Sequence, residues 1–106
     1  SWNDTVCALA HEWQGIVSSL ETVVDANTAS AAAKAIRARR ARILALNARK
    51  DSADQDKSAG AIMGGAAHTR KMAEAAKGLS NQFRRISTET PQLSLMVMRE
   101  LDGLDF

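Results

Sequence analysis

The chain has 106 residues and a formal net charge of +2, and 20 of its residues are alanine. This length predicts one domain over residues 1–106, and the composition, with one proline and no tyrosine, favours helix over sheet. No apolar run approaches the roughly 18 residues of a membrane-spanning helix, and the single cysteine, Cys7, rules out an intramolecular disulfide.

The first helix is predicted from Asn3 or Asp4 to Val24, because apolar residues recur there at helical spacing. The turn at residues 25–28 is short, so the first two helices are expected to be antiparallel neighbours. The predicted apolar stripe consists of Val6, Leu9, Trp13, Ile16, Val17, Leu20 and Val24.

The second helix is predicted from Thr28 or Ser30 to about Lys50. Arg40 and Asn47 fall inside its apolar stripe, so both are predicted to be buried polar side chains. A buried arginine needs a carboxylate or carbonyl partner, and the first helix offers Glu12 and Glu21. The stripe itself consists of Ala29, Ala32, Ala33, Ile36, Ile43 and Leu44.

Residues 51–60 are small and polar and are predicted to be either a loop or a weak start to the third helix. That helix is predicted over about Ile62–Ile86, with a stripe that includes Met72, Leu79 and Phe83. Thr88 or Thr90 is expected to cap a short last helix that starts at Pro91 and stops near Gly103. The predicted fold is therefore all-α: an antiparallel bundle of three long helices plus a short C-terminal helix.

Charge is segregated along the chain. Residues 1–25 hold four acidic and no basic residues, whereas residues 26–50 hold seven basic and no acidic residues. One explanation is internal pairing between the first two helices; the other is an external anion, such as nucleic acid. The basic residues predicted to face outward, as a candidate anion or partner face, are Arg37, Arg42, Arg49, Arg84 and Arg85. Internal pairing is preferred, because aromatic stacking platforms and helix-turn-helix spacing are missing.

Catalytic patterns are weak. His11 and His68 lie on different predicted helices, and Cys7 and His11 share helical spacing without an orienting third residue. The aspartates at 51, 54 and 56 lack the spacing of a calcium loop. The sequence therefore predicts no enzyme, no catalytic residue, no cofactor and no metal site.

The sequence resembles small exported helical proteins of unknown function of planctomycete and verrucomicrobial type. The resemblance covers about residues 16–101 and implies a secreted or periplasmic helical hairpin or bundle, often lipid-anchored, with no known activity. Ser1 stands where such proteins carry a lipidated cysteine. The residues that carry the resemblance are Leu20, Val23, Asp25, Ala29-Ser30-Ala31, Ala33, Arg85-Ile86 and Pro91-Gln92-Leu93.

In length, and in the turn before the second helix, the chain is also similar to cytochrome b562-type four-helix bundles. That family binds haem through a methionine on the first helix and a histidine on the last. This chain has Cys7 in its first helix and no histidine after His68. The similarity therefore implies a topology and not a haem site.

Together these patterns predict a non-enzymatic, exported structural or protein-interaction bundle, whose partner is another protein or a second copy of the chain. The alternative is an anion- or nucleic-acid-binding bundle that uses the basic face of the second helix. Because the chain begins at Ser1 and not at methionine, a segment before Ser1 is expected to have been removed, and the resemblance to small exported proteins implies a periplasmic or secreted location. The cytoplasm is the alternative compartment.

Overall fold

The structure, a computed structural model, describes the backbone of residues 2–53 and 59–104 and the side chains of residues 2–52 and 69–104. All regular structure in this part of the chain is helical, which confirms the predicted all-α class. A turn of 3₁₀ helix over Arg99–Leu101 follows the last α-helix. The four α-helices are α1 (Trp2–Glu21), α2 (Ala26–Ala53), α3 (Ala59–Glu89) and α4 (Pro91–Met98).

The turn between α1 and α2 has the predicted length but lies three residues earlier in the chain, because α1 ends at Glu21 and α2 already begins at Ala26. Asp25 caps α2: its carboxylate accepts a hydrogen bond of 2.8 Å from the Thr28 backbone N–H. The Thr28 hydroxyl in turn accepts one of 2.9 Å from the Asp25 backbone N–H, which completes a reciprocal capping box. The predicted start of this helix at Thr28 or Ser30 is therefore wrong, because Thr28 acts from inside the first turn.

The segment 51–60, for which the sequence predicts either a loop or a weak start to the third helix, contributes to two helices. Its first three residues continue α2 to Ala53, and its last two begin α3 at Ala59. Residues 54–58 lie outside the described part of the chain. Helix α3 begins at Ala59, three residues before the predicted Ile62, and the glycine pair at 64 and 65 lies within its helical backbone.

A single residue, Thr90, separates α3 from α4. Its backbone N–H donates to the Ile86 carbonyl at 2.8 Å, and its own carbonyl accepts from the Leu93 N–H at 2.9 Å. Pro91 takes the first position of α4, as predicted, where its missing N–H leaves no helical bond unmade. The short connection brings α4 back against α2 and α3.

Helix α1 is the centre of the core and packs against both α2 and α3. Its predicted stripe is buried apart from Val17, which is half-buried, and Val24, which lies beyond α1 and is exposed. Leu44 of α2 is likewise exposed and not buried as predicted. The core cluster is Leu9, Trp13, Ile16, Leu20, Val23, Ala29, Ala32, Ile36, Ile43, Ala75, Ile86, Leu93 and Val97.

Small residues let the helices approach closely. At Gly78 of α3 a Cβ atom would stand 3.0 Å from the Val17 side chain of α1. Alanines 29 and 32 have the same effect on the α2 side, where they are buried in the core. Within the described residues, no helix has both the length and the apolar character needed to cross a bilayer.

Candidate functional site

The basic residues of α2 meet the acidic residues of α1 at Glu12. This side chain is almost buried, and its two oxygens contact different arginines. The Arg39 guanidinium donates a hydrogen bond of 2.7 Å, and the Arg42 Nε forms an ion pair at 2.9 Å. Such charge-assisted contacts are stronger than neutral hydrogen bonds. Arg42, predicted to face outward and remain available to a partner, is therefore paired within the chain.

Arg39 reaches Glu12 by crossing Gly15 of α1. Its guanidinium occupies the space that a Cβ at position 15 would need. A glycine here costs about 1 kcal/mol of helix propensity against alanine. An alanine at position 15 would therefore favour the helical conformation of α1 but would interfere with the ion pair between Arg39 and Glu12.

A second arginine cluster holds the 3₁₀ turn against α2 through Glu100. The Arg37 guanidinium donates to both Glu100 carboxylate oxygens, at 2.6 and 3.2 Å. Arg40 donates to the Glu100 backbone carbonyl at 2.9 Å. Arg37 was predicted to be free for a partner; its guanidinium is used on Glu100, although its side chain remains 63% exposed.

The Arg37 contact also sets the ionisation of Glu100. Hydrogen bonding from the Arg37 guanidinium, with smaller contributions from the charges of Arg37, Arg40 and Arg99, lowers the pKa of the Glu100 carboxyl below its ordinary 4.5. Glu100 in turn raises the pKa of Arg37. The pair is therefore fully charged at neutral pH.

Arg85 of α3 caps the C-terminal end of α1. Its guanidinium donates to the carbonyl oxygens of Leu20 and Val23 at 2.9 and 3.0 Å, and to the Gln82 side chain at 2.9 Å. Leu20 lies in the last turn of α1, where its carbonyl also accepts from the Val23 N–H at 3.1 Å, and Val23 lies just beyond the helix. A cation at this end of α1 also suits the helix dipole. Arg85 was predicted to lie on an outward anion face; its hydrogen bonds instead join α1 to α3.

The remaining predicted residues have separate surroundings. Arg49 and Arg84 are exposed on α2 and α3 respectively. Arg40 and Asn47 are half-buried, and Arg40 donates to a carbonyl, one of the two expected kinds of partner, but to that of Glu100 and not to a group of α1. Asn47 also takes part in an interaction within the structure. The five predicted arginines thus do not form one open basic face.

The outer face of α4 was not predicted as a functional surface. Leu93 and Val97 turn into the core, while Leu95, Met96 and Met98 project outward, with Leu95 67% and Met98 43% exposed. Leu95 and Met98 are three residues apart and so are neighbours on the helix surface. We call Leu95, Met96 and Met98 the α4 ridge. Its signal is in the sequence, since the segment PQLSLMVM is apolar around most of its circumference.

An open groove of about 470 Å³ runs between α2 and α4, along one side of the ridge. Three cationic side chains and one carboxylate line it, together with the apolar side chains of Ala33, Leu95 and Met96. Lys34 and Arg99 form no ion pair with the described residues, whereas Arg37 is paired with Glu100. The charged residues of this groove are Lys34, Arg37, Arg99 and Glu100.

Groups that could support catalysis are scattered. Cys7 is half-buried and His11 is exposed. The side chain of His68 lies outside the described residues. Among the side chains that the structure describes, no group of three histidines, cysteines or carboxylates is placed to hold a metal ion.

Comparisons of this chain with protein-family models, with curated proteins and with solved structures find no match.

Proposed function

We propose that this chain is a non-enzymatic helical bundle that acts by binding another protein through the α4 ridge. The observation that carries the proposal is the exposure of Leu95 and Met98 on a helix whose opposite side is already in the core. A helix that is apolar all round is normally covered on every side. Contiguous exposed apolar residues mark interaction sites more often than isolated ones do.

The bundle is proposed to have an up-down-up arrangement, in which α2 is antiparallel to α1 and α3 is parallel to α1. The pairing of positions supports this direction. Along α1, Gly15 lies against Arg39 whereas Glu12, three residues earlier, pairs with Arg42, so the numbers on α2 fall as those on α1 rise. Towards α3, Val17 meets Gly78 and Leu20 meets Arg85, so these numbers rise together.

An exported location is part of the proposal and rests on the resemblance to small exported helical proteins. Fractionation of the source cells tests it, because an exported bundle would be found outside the cytoplasm. Recovery only from the cytoplasmic fraction would remove this part and leave the binding role of the α4 ridge standing.

Nucleic-acid or anion binding by the basic face of α2 is the second candidate, and Arg49 and Arg84 are the exposed residues that favour it. It has less support, because Arg37, Arg42 and Arg85 are bound to acceptors of the same chain. A gel-shift titration with duplex DNA and with RNA at low salt separates the two. A salt-sensitive shift that is lost in Arg49→Gln/Arg84→Gln would favour this second candidate.

Co-purification tests the leading proposal. Tagged wild-type protein is recovered from the source cells beside the Leu95→Ser/Met98→Ser variant, and we expect the variant to lose its co-purifying partner. The matched control is Val24→Ser/Leu44→Ser, which removes apolar residues that are exposed to a similar degree, 63% and 45%, outside α4. A partner that both variants retain, or that both lose, contradicts a contact through the ridge.

A further inference from the structure

We propose that the partner segment which docks on α4 is an acidic amphipathic helix, seated in the groove between α2 and α4. This inference rests on the proposed function and adds the chemistry of the partner. Three features carry it: the net charge of the groove, the presence of two cations that make no ion pair with the described residues, and the apolar residues along one wall.

The groove has a net charge of +2, because it is lined by Lys34, Arg37 and Arg99 against the single carboxylate of Glu100. Glu100 is fully engaged by Arg37, so it neutralises that arginine and leaves the other two cations. Lys34 and Arg99 are both exposed and make no ion pair with the described residues. A partner that brings carboxylates to this groove therefore has two cations to meet, whereas a basic partner would be repelled.

The positions of these cations suit a helix better than an isolated small anion. Lys34 lies on α2 and Arg99 lies beyond the end of α4, so they stand on opposite walls of the groove. Leu95 and Met96 lie on the α4 wall and Ala33 on the α2 wall. An amphipathic helix that lays its apolar stripe on the Leu95–Met96 wall would carry its flanking acids towards both cations.

The test uses two synthetic fluorescent helical peptides with the same leucine stripe, one flanked by glutamate and the other by lysine. Binding to the full chain is measured by fluorescence anisotropy at low and at moderate salt. We expect the glutamate peptide to bind, to weaken as salt is added, and to bind more tightly than the lysine peptide.

Charge reversal within the groove is the decisive arm. We expect Lys34→Glu/Arg99→Glu to weaken binding of the glutamate peptide about tenfold and to favour the lysine peptide instead. Arg49→Glu/Arg84→Glu makes the same change in net charge at exposed arginines elsewhere and should leave the preference unchanged. Circular dichroism and urea unfolding of both variants establish that the fold is retained.

The other outcomes overturn the inference in distinguishable ways. Equal binding of both peptides would mean that the contact is apolar only, and the proposed function would survive. No binding of the glutamate peptide at low salt contradicts an acidic helical partner. Vesicles of anionic phospholipid that bind through Lys34 and Arg99, when the glutamate peptide does not, would assign the groove to a membrane surface. The co-purification experiment tests the ridge itself independently of all three.

Discussion

The Glu12 carboxylate of α1 lies 2.7 Å from the Arg39 guanidinium of α2, in a contact that is largely shielded from solvent. Arg42 contacts the other oxygen of Glu12, so Glu12 links two arginines of the basic segment, residues 26–50, to the acidic first helix. The basic segment thus stabilises the bundle through contacts within the chain, and we expect its arginines to influence stability more than binding.

Replacing Glu12 with glutamine should destabilise the fold by about 2 kcal/mol, because a nearly buried carboxylate that pairs with two guanidinium groups is replaced by a neutral group. Urea unfolding measures the change. Glu21→Gln is the control, since Glu21 is an exposed acid on the same helix, and it should change stability by less than about 0.5 kcal/mol. Equal losses in both variants would show that the contacts with Arg39 and Arg42 contribute nothing specific.

Gly15→Ala should reveal the competition between helix propensity and the ion pair. Alanine favours the helix by about 1 kcal/mol, but its Cβ would displace the Arg39 guanidinium from its path to Glu12. We therefore expect the full gain only in an Arg39→Gln background, and a smaller gain or a loss in the wild type. A double-mutant cycle with the same gain in both backgrounds would contradict this coupling.

Arg85 and Arg84 are adjacent arginines with different expected effects. Arg85→Gln should cost about 1–2 kcal/mol, because the carbonyls at the end of α1 lose their charged donor. Arg85→Lys should recover only part of this, since an ammonium lacks the planar fork that spans two carbonyls. Arg84→Gln, at an exposed position, should be near neutral. Thermal unfolding compares the three, and equal melting temperatures for Arg84→Gln and Arg85→Gln would remove the capping role.

The pairing of Glu100 with Arg37 predicts a pH dependence of stability. The folded-state pKa of Glu100 lies below its ordinary 4.5, so ionised Glu100 stabilises the fold above that pH. This stabilisation is lost as the pH falls through the lowered value, because the unfolded state then binds the proton more readily.

Urea midpoints of wild type and Glu100→Gln, measured from neutral to acidic pH, provide the test. The wild type should be the more stable at neutral pH, and the difference should shrink below about pH 4.5. Glu21→Gln, the control, should show no comparable trend. A difference between wild type and Glu100→Gln that stays constant down to the acid limit would contradict a charged Arg37–Glu100 contact.

The helical core was predictable because the residues on the buried face of a helix recur every three or four positions, and apolar residues in this sequence follow that spacing. Leu9, Trp13, Ile16 and Leu20 recur at helical spacing and are buried, and Pro91 begins the last helix as its missing N–H allows. The start of α2 was missed because Thr28, which can cap a helix from outside, here bonds back to Asp25 from within the first turn.

The fate of the arginines could not be read from periodicity. A helical wheel gives the direction of the Cα–Cβ bond, but a guanidinium reaches across neighbouring turns and onto other helices. Arg37 and Arg85 lie outside the predicted apolar stripes of their helices. They nevertheless bond Glu100 and the end of α1, because the α3–α4 turn and the α1–α3 packing bring these acceptors close. The sequence likewise does not predict which side of α4 is exposed, because apolar residues lie around most of this helix and only the packing decides which of them are covered.

Site-specific photo-crosslinking tests most directly whether α4, and not the basic face of α2, is the binding surface. A photoreactive residue is placed at position 95 in one variant and at position 49 in another, and both are irradiated in the source cells. Leu95 lies on the α4 ridge, whereas Arg49 is an exposed arginine of α2. We expect one defined protein adduct from position 95 and none from position 49. Adducts to protein or nucleic acid from position 49, with none from position 95, would contradict the proposed function.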